Sequence, residues 1–211
     1  LQGVDTIELC SSMNDGGLTP LAEHIKAARA AMEYHNGLMI MIRLRPGNFI
    51  YNDYEFDMML EQIDYAGEFG ADGIVFGCLN EDDEINIKQL EKIMEKADDY
   101  SLDTTFHRAF DNLRNKNLAL KILREFQIDR ILTAGQRWES KNDILNQTKI
   151  ISETIKNCKD EIEVIIGGGI SAANIKSIAD LFKDNQVSIH AYSATLTNDR
   201  LDEKKLAQPI N

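Results

Sequence analysis

Short runs of β-branched and apolar residues return along this chain about every 30 residues, each followed by a stretch of helical periodicity. That rhythm is the size of one strand–helix unit, and it constrains the fold more than any other feature. Strands are expected over residues 6–11, 38–43, 73–78, 103–106, 130–135, 163–168 and 188–193. The nearly unbroken apolar run at residues 38–42 suits a strand covered on both faces, as in a parallel sheet. Helices are expected between them. Thr19 and Pro20 read as cap and first residue of one helix, and Asn52 with Glu55 as the capping pair of the next. Further helices are expected over residues 86–100, 115–126, 140–157 (opened by Ser140 and Asp143) and 171–182 (capped by Ser171).

A weak internal repeat supports this reading. Gly3-Val4-Asp5-Thr6-Ile7, Gly70-Ala71-Asp72-Gly73-Ile74 and Gln127-Ile128-Asp129-Arg130-Ile131 each stand where a helix gives way to a strand. By that logic residues 1–3 are the tail of a helix, and one further unit precedes the first strand. Seven strands plus that unit make eight. The expected fold is therefore α/β, a TIM (β/α)8-type barrel without its first βα unit in this chain, preferred over an open doubly wound sheet. Residues 1–211 read as one domain with an irregular tail after about residue 197. An open barrel exposes two strand edges, so a homo-oligomer is expected.

Composition narrows the partners. A net charge of −12 argues against nucleic acid and against an anionic membrane. No apolar run is long enough to span a bilayer. The three cysteines, Cys10, Cys78 and Cys158, are scattered and odd in number, which fits a reducing cytoplasm better than a disulfide framework. A small anionic ligand remains compatible, because a local arginine cluster outweighs a distant acidic surface.

In barrels of this type the working groups come from the C-terminal ends of several strands. The densest such end is Thr105-Phe106-His107-Arg108-Ala109-Phe110-Asp111. With Glu8 in the first strand and Arg43 ending the second, it supplies the candidate catalytic set Glu8, Arg43, His107, Arg108 and Asp111, with Thr133 and His190 on the same rim. His107 is the expected acid or base, titrating near neutrality, with Asp111 or Glu8 fixing its tautomer. The alternative for Arg43 is an ion pair with Glu8 that closes the barrel top. Gly167, Gly168 and Gly169 follow the penultimate strand and precede a helix, where backbone N–H groups approach an anion. Arg45 and Ser193 complete the expected anion site.

Several of these strings, in order and at matching spacing, resemble the CutC family. They are Glu8-Leu9-Cys10-Ser11, Gly16-Gly17-Leu18-Thr19-Pro20, Met41-Ile42-Arg43-Leu44-Arg45, the strings through Asp72 and Asp111, Arg130-Ile131-Leu132-Thr133-Ala134-Gly135 and Gly167-Gly168-Gly169-Ile170. The resemblance implies a TIM barrel and a role in copper homeostasis, with copper as a bound ion. Two departures stand out: the family's first βα unit is absent, and residues 190–193 read His-Ala-Tyr-Ser where many members carry His-Cys-Ser. Cu(I) favours soft ligands. Cys10 and Cys78 each end a strand and could share one rim, with Met13 in the adjoining loop. Three readings are thus to be separated: a copper-handling protein, an enzyme acting on a small phosphate or carboxylate metabolite, and a barrel kept for interaction with a vestigial rim.

Overall fold

The computed structural model describes residues 4–32, 35–192, 195–197 and 200–201. Seven strands, β1 (Ile7–Leu9), β2 (Leu38–Met41), β3 (Gly73–Phe76), β4 (Asp103–Phe106), β5 (Arg130–Thr133), β6 (Glu163–Ile166) and β7 (Val187–Ile189), lie in sequence order. Every neighbouring pair is parallel. Helices α1 (Ala22–Met32), α2 (Asp53–Glu68), α3 (Ile87–Asp99), α4 (Lys116–Glu125), α5 (Thr148–Cys158) and α6 (Ile175–Phe182) fill the crossovers. The sheet curls as a TIM-type barrel does, but β1 and β7 remain its edges and do not pair among the described residues. A two-residue hairpin, β8 (Leu196–Thr197) with β9 (Arg200–Leu201), follows in the tail where no regular element was expected. The helix tail expected at residues 1–3 lies outside the described residues.

Strand alternation sorts side chains into two compartments. Ile40, Ile42, Ile74, Phe76, Phe106, Ile131 and Ile166 face the helices and join Phe56, Ile63, Leu90, Leu120 and Ile151 in the main core. Met39, Met41 and Val75 point the other way, forming a small inner cluster against which Cys10 packs. The inward register 39, 41 carries on to Arg43, and the inward register of β4 carries on to His107. The barrel interior thereby becomes polar at its C-terminal mouth.

The repeat has a physical explanation. The Asp72 carboxylate accepts the backbone N–H groups of Gly37 and Leu38 at 2.7 and 2.8 Å, fastening the start of β2 to the entry of β3. Asp129 does the same for β4, accepting from the Thr104 backbone at 2.7 Å and its hydroxyl at 2.9 Å. Asp5, the third copy, is exposed beside the open edge.

Helix starts follow the sequence where an Asn caps. Asn52 and Glu55 form the reciprocal capping box of α2, and Asn86 and Asn115 accept from the third residue of α3 and α4. Elsewhere tertiary contacts win. The Thr19 hydroxyl accepts from the Arg43 backbone N–H and donates to Gln62, so α1 starts only at Ala22. Asp143 caps a single 3-10 turn, Ile144–Gln147, before α5 begins at Thr148. Asn174 accepts from the Ser171 backbone N–H, and α6 begins at Ile175. The glycine loop is therefore one turn away from the helix it was expected to open.

Candidate active site

At the C-terminal end of the sheet, Glu8, Arg43, His107, Arg108 and the Gly168–Gly169 loop converge on one cavity of about 230 Å³. They arrive from the ends of β1, β2, β4 and β6, and His190 joins from the end of β7. Trp138, from the loop after β5, also lines the cavity, with its ring 4.9 Å from the Arg108 guanidinium carbon and 5.2 Å from that of Arg43. Sequence reasoning missed this residue. The signal was there: it is the single tryptophan of the chain, in a polar loop directly after a strand end.

His107 is buried, with 4% of its surface exposed. Its Nδ1 accepts the Ala109 backbone N–H at 3.1 Å, so the ring proton sits on Nε2. This corrects the expectation that Asp111 or Glu8 sets the tautomer: a backbone amide does. Phe49 lies 4.8 Å away, centroid to centroid, on one side. On another, Gly77 leaves the room the ring needs, since a Cβ at 77 would stand 2.4 Å from Cε1. Burial, followed by the positive charges of Arg43 and Arg108, lowers the His107 pKa to about 3. A residue expected to titrate near neutrality is instead a neutral donor, because desolvation and like charge both act against the imidazolium. His107 Nε2 has no hydrogen-bond partner among the described residues.

Arg43 is 2% exposed and makes no ion pair with Glu8 among the described residues. One guanidinium nitrogen donates to the carbonyls of Asp15, Gly16 and Gly17 at 2.9, 3.2 and 3.3 Å. The other donates to Gly47 at 3.1 Å. Backbone carbonyls hold the side chain without cancelling its charge, so a full positive charge stands at the mouth. Glu8 instead approaches His190, 3.9 Å from its Nδ1 across the open edge.

Arg108 and Asp111 form a pair that only partly faces the cavity. Arg108 Nε donates to Asp111 at 2.8 Å. Asp111 also accepts the Thr133 hydroxyl and, at 3.0 Å, the Ala134 backbone N–H. Fully buried and with its oxygens engaged, Asp111 ties the β4 loop to the end of β5 and does not line the cavity. Its place in the expected catalytic set is corrected to that of a brace. Thr133 turns toward it, away from the mouth. The Arg108 guanidinium lies against Gly168, where a Cβ would meet it at 2.8 Å.

Other expected site residues fall elsewhere. Arg45 pairs with Glu55 and hydrogen-bonds Asn48, outside the cavity. Gly167 continues the sheet, donating to the Thr133 carbonyl, and packs against Leu132 and His190. Ser193 lies outside the described residues. Cys10 and Cys78 do not meet: Cys10 borders the inner cluster, whereas Cys78 is buried in the outer core beneath the helices. Their places at C-terminal strand ends suggested a common rim, but the two strands are of opposite parity, so even positions point inward along one and outward along the other. Cys10 Sγ instead lies 2.9 Å from Met13 Sδ. Burial, with Glu8 adding to it, raises the Cys10 thiol to about 11. Among the described residues no three His, Cys, Asp or Glu side chains gather as a metal site.

Comparison with known proteins agrees with this architecture. The model of the CutC family matches residues 1–192. A CutC family protein of Mesorhizobium japonicum is 34% identical over 178 residues, covering 83% of this chain and 65% of that one. The human copper homeostasis protein cutC homolog is 35% identical over 178 residues, covering 84% of this chain and 62% of that one. This chain thus spans less than two thirds of either relative. Among solved structures, CutC from Streptococcus agalactiae superposes with a TM-score of 0.80 at 29% identity, covering 87% of each chain. A 3-keto-L-gulonate-6-phosphate decarboxylase from Vibrio cholerae shares the fold alone, with a TM-score of 0.59 at 15% identity over 89% of this chain and 76% of that one.

Proposed function

Because the chain belongs to the CutC family, whose barrel it shares, we propose that the polar mouth of this barrel is an enzyme site for a small anionic metabolite carrying a phosphate or carboxylate. The observation that carries this is the convergence of Arg43, Arg108, His107, Glu8 and the Gly168–Gly169 loop on one cavity. Among the described residues Arg43 forms no ion pair with a carboxylate, Arg108 lies beside Gly168 with open space at Gly169, and Phe49 and Trp138 supply aromatic walls. Isothermal titration with inorganic phosphate and short carboxylates tests the reading. Wild type binds, and Arg108→Gln, shown folded by circular dichroism, binds at least about tenfold more weakly. Equal titrations of the two proteins would refute it.

A second reading, copper binding, is favoured by the contact of Cys10 Sγ with Met13 Sδ, two soft ligands beside the same mouth. The human relative's name supports it. The raised thiol pKa opposes it, since a metal must displace the proton. For setting, we place the protein in the cytoplasm as a homo-oligomer: its cysteines are free, the edges of β1 and β7 invite pairing, and its net charge of −12 disfavours nucleic acid and anionic membrane. Among the described residues no helix is long and apolar enough to cross a membrane.

A further inference from the structure

The least explained atom in the mouth is His107 Nε2. It carries the ring proton, is buried, belongs to a residue that lines the cavity, and finds no acceptor among the described residues. Burying such a donor without a partner is costly, so a fold that keeps one in a residue of the cavity wall keeps it for an acceptor that arrives from outside. The ring has no freedom to look elsewhere. Ala109 holds Nδ1, Phe49 packs 4.8 Å away, and the approach of Gly77 leaves no slack on another side. A fixed N–H donor beside two guanidinium groups suits an oxygen that gains negative charge.

That chemistry needs a base, and His107 is not one, since its acceptor nitrogen is already occupied. The cavity offers Glu8, a carboxylate that is 16% exposed and lies 3.9 Å from His190 Nδ1. Resting on the anion-site reading above, we propose that the ligand carries a carbonyl group, that His107 Nε2–H polarises its oxygen, and that Glu8 moves a proton on the adjacent carbon. In this step the C–H bond breaks and its proton passes to the Glu8 carboxylate. The C–H electron pair becomes the new C=C bond, while the carbonyl π pair moves to the oxygen that His107 holds. Return of the proton from Glu8 to that carbon closes the carbonyl again and regenerates the Glu8 carboxylate, with no oxidant or reductant consumed. A neutral imidazole is the right partner for this, because it donates a hydrogen bond without surrendering a proton.

The experiment uses matched probes: dihydroxyacetone phosphate with glycerol 3-phosphate, pyruvate with lactate, and oxaloacetate with malate, with inorganic phosphate as the plain anion. Binding is followed by the ¹⁵N and ¹H resonances of labelled histidine, and deuterium exchange at the carbon next to the carbonyl by NMR in D₂O. The expected result is that at least one keto member binds about tenfold tighter than its hydroxy partner, shifts the His107 Nε2–H resonance, and exchanges faster than in protein-free buffer. Glu8→Gln retains that binding and loses the exchange. Equal binding of every pair, or binding without exchange, would overturn the proposal while leaving the anion site standing. A proton found on Nδ1 would overturn it independently of any ligand. Failure of all probes and of inorganic phosphate to bind would remove the anion site and this inference together.

Discussion

The guanidinium of Arg108 lies directly on the backbone of Gly168, so close that a Cβ there would stand 2.8 Å from its terminal nitrogen. The contact joins the end of β4 to the loop after β6 and places charge beside two glycines that line the mouth. Gly168 also has a φ of +85°, a conformation that side chains rarely adopt. Gly168→Ala is expected to cost about 1–2 kcal/mol in denaturant unfolding, and to weaken phosphate binding by displacing Arg108. Unchanged binding with the expected stability loss would show that the contact is packing alone.

Asp111 shows its structural role on removal of its charge. Asp111→Asn leaves Arg108 without a counter-charge and weakens three hydrogen bonds in a closed environment. A loss of about 3 kcal/mol is expected in urea unfolding, with the same change in m-free midpoint at several protein concentrations. A near-neutral effect would mean that solvent supports Arg108 better than the geometry indicates.

How far the sequence speaks for itself differs between fold and site. The strand–helix order is legible because each element is local: Asn52 with Glu55, Asn86 and Asn115 mark helix starts by chemistry contained within four residues. Thr19 and Ser171 misled because what decides their fate is remote or competing, Arg43 in one case and Asn174 in the other. The site is legible in residue type and less so in role. Parity along the strands places His107, Arg43 and Glu8 at the mouth. It also separates Cys10 from Cys78, a consequence of the pleat that needs the register of both strands. Neither the acceptor of the His107 ring nor the saturation of Asp111 is written in the spacing, since both depend on how the β4 loop turns after Phe106.

The buried neutral state of His107 links stability to pH. Its pKa is lowered from the ordinary 6.5 to about 3, so below pH 6.5 the unfolded chain binds a proton that the folded chain refuses. This contribution is present above pH 6.5 and is lost as pH falls toward 3. Between pH 6.5 and 5 the loss is about 2 kcal/mol. His107→Gln removes a titrating group and should flatten that segment of the stability profile, measured by urea unfolding across the range. An equally steep segment in the variant would assign the dependence to other groups.

The copper reading turns on Cys10. Cys10→Ser exchanges a soft ligand for a hard one and should weaken Cu(I) capture by at least about tenfold in competition with a chelator, whereas Cys78→Ser should change nothing, because Cys78 is sealed in the outer core. Equal affinity in wild type and Cys10→Ser would dismiss the sulfur pair as a ligand set.

The central claim is that the anion seat lies at the Gly168–Gly169 loop of the barrel mouth. A titration of inorganic phosphate into ¹⁵N-labelled protein, followed by backbone amide resonances, tests it most directly. The account predicts saturable shifts centred on Gly168, Gly169 and the Arg108 side chain, absent in Arg108→Gln. Shifts centred instead on the lysine-lined cavity of Lys156 and Lys159 at the far end of α5, or no saturable shift at all, would contradict it.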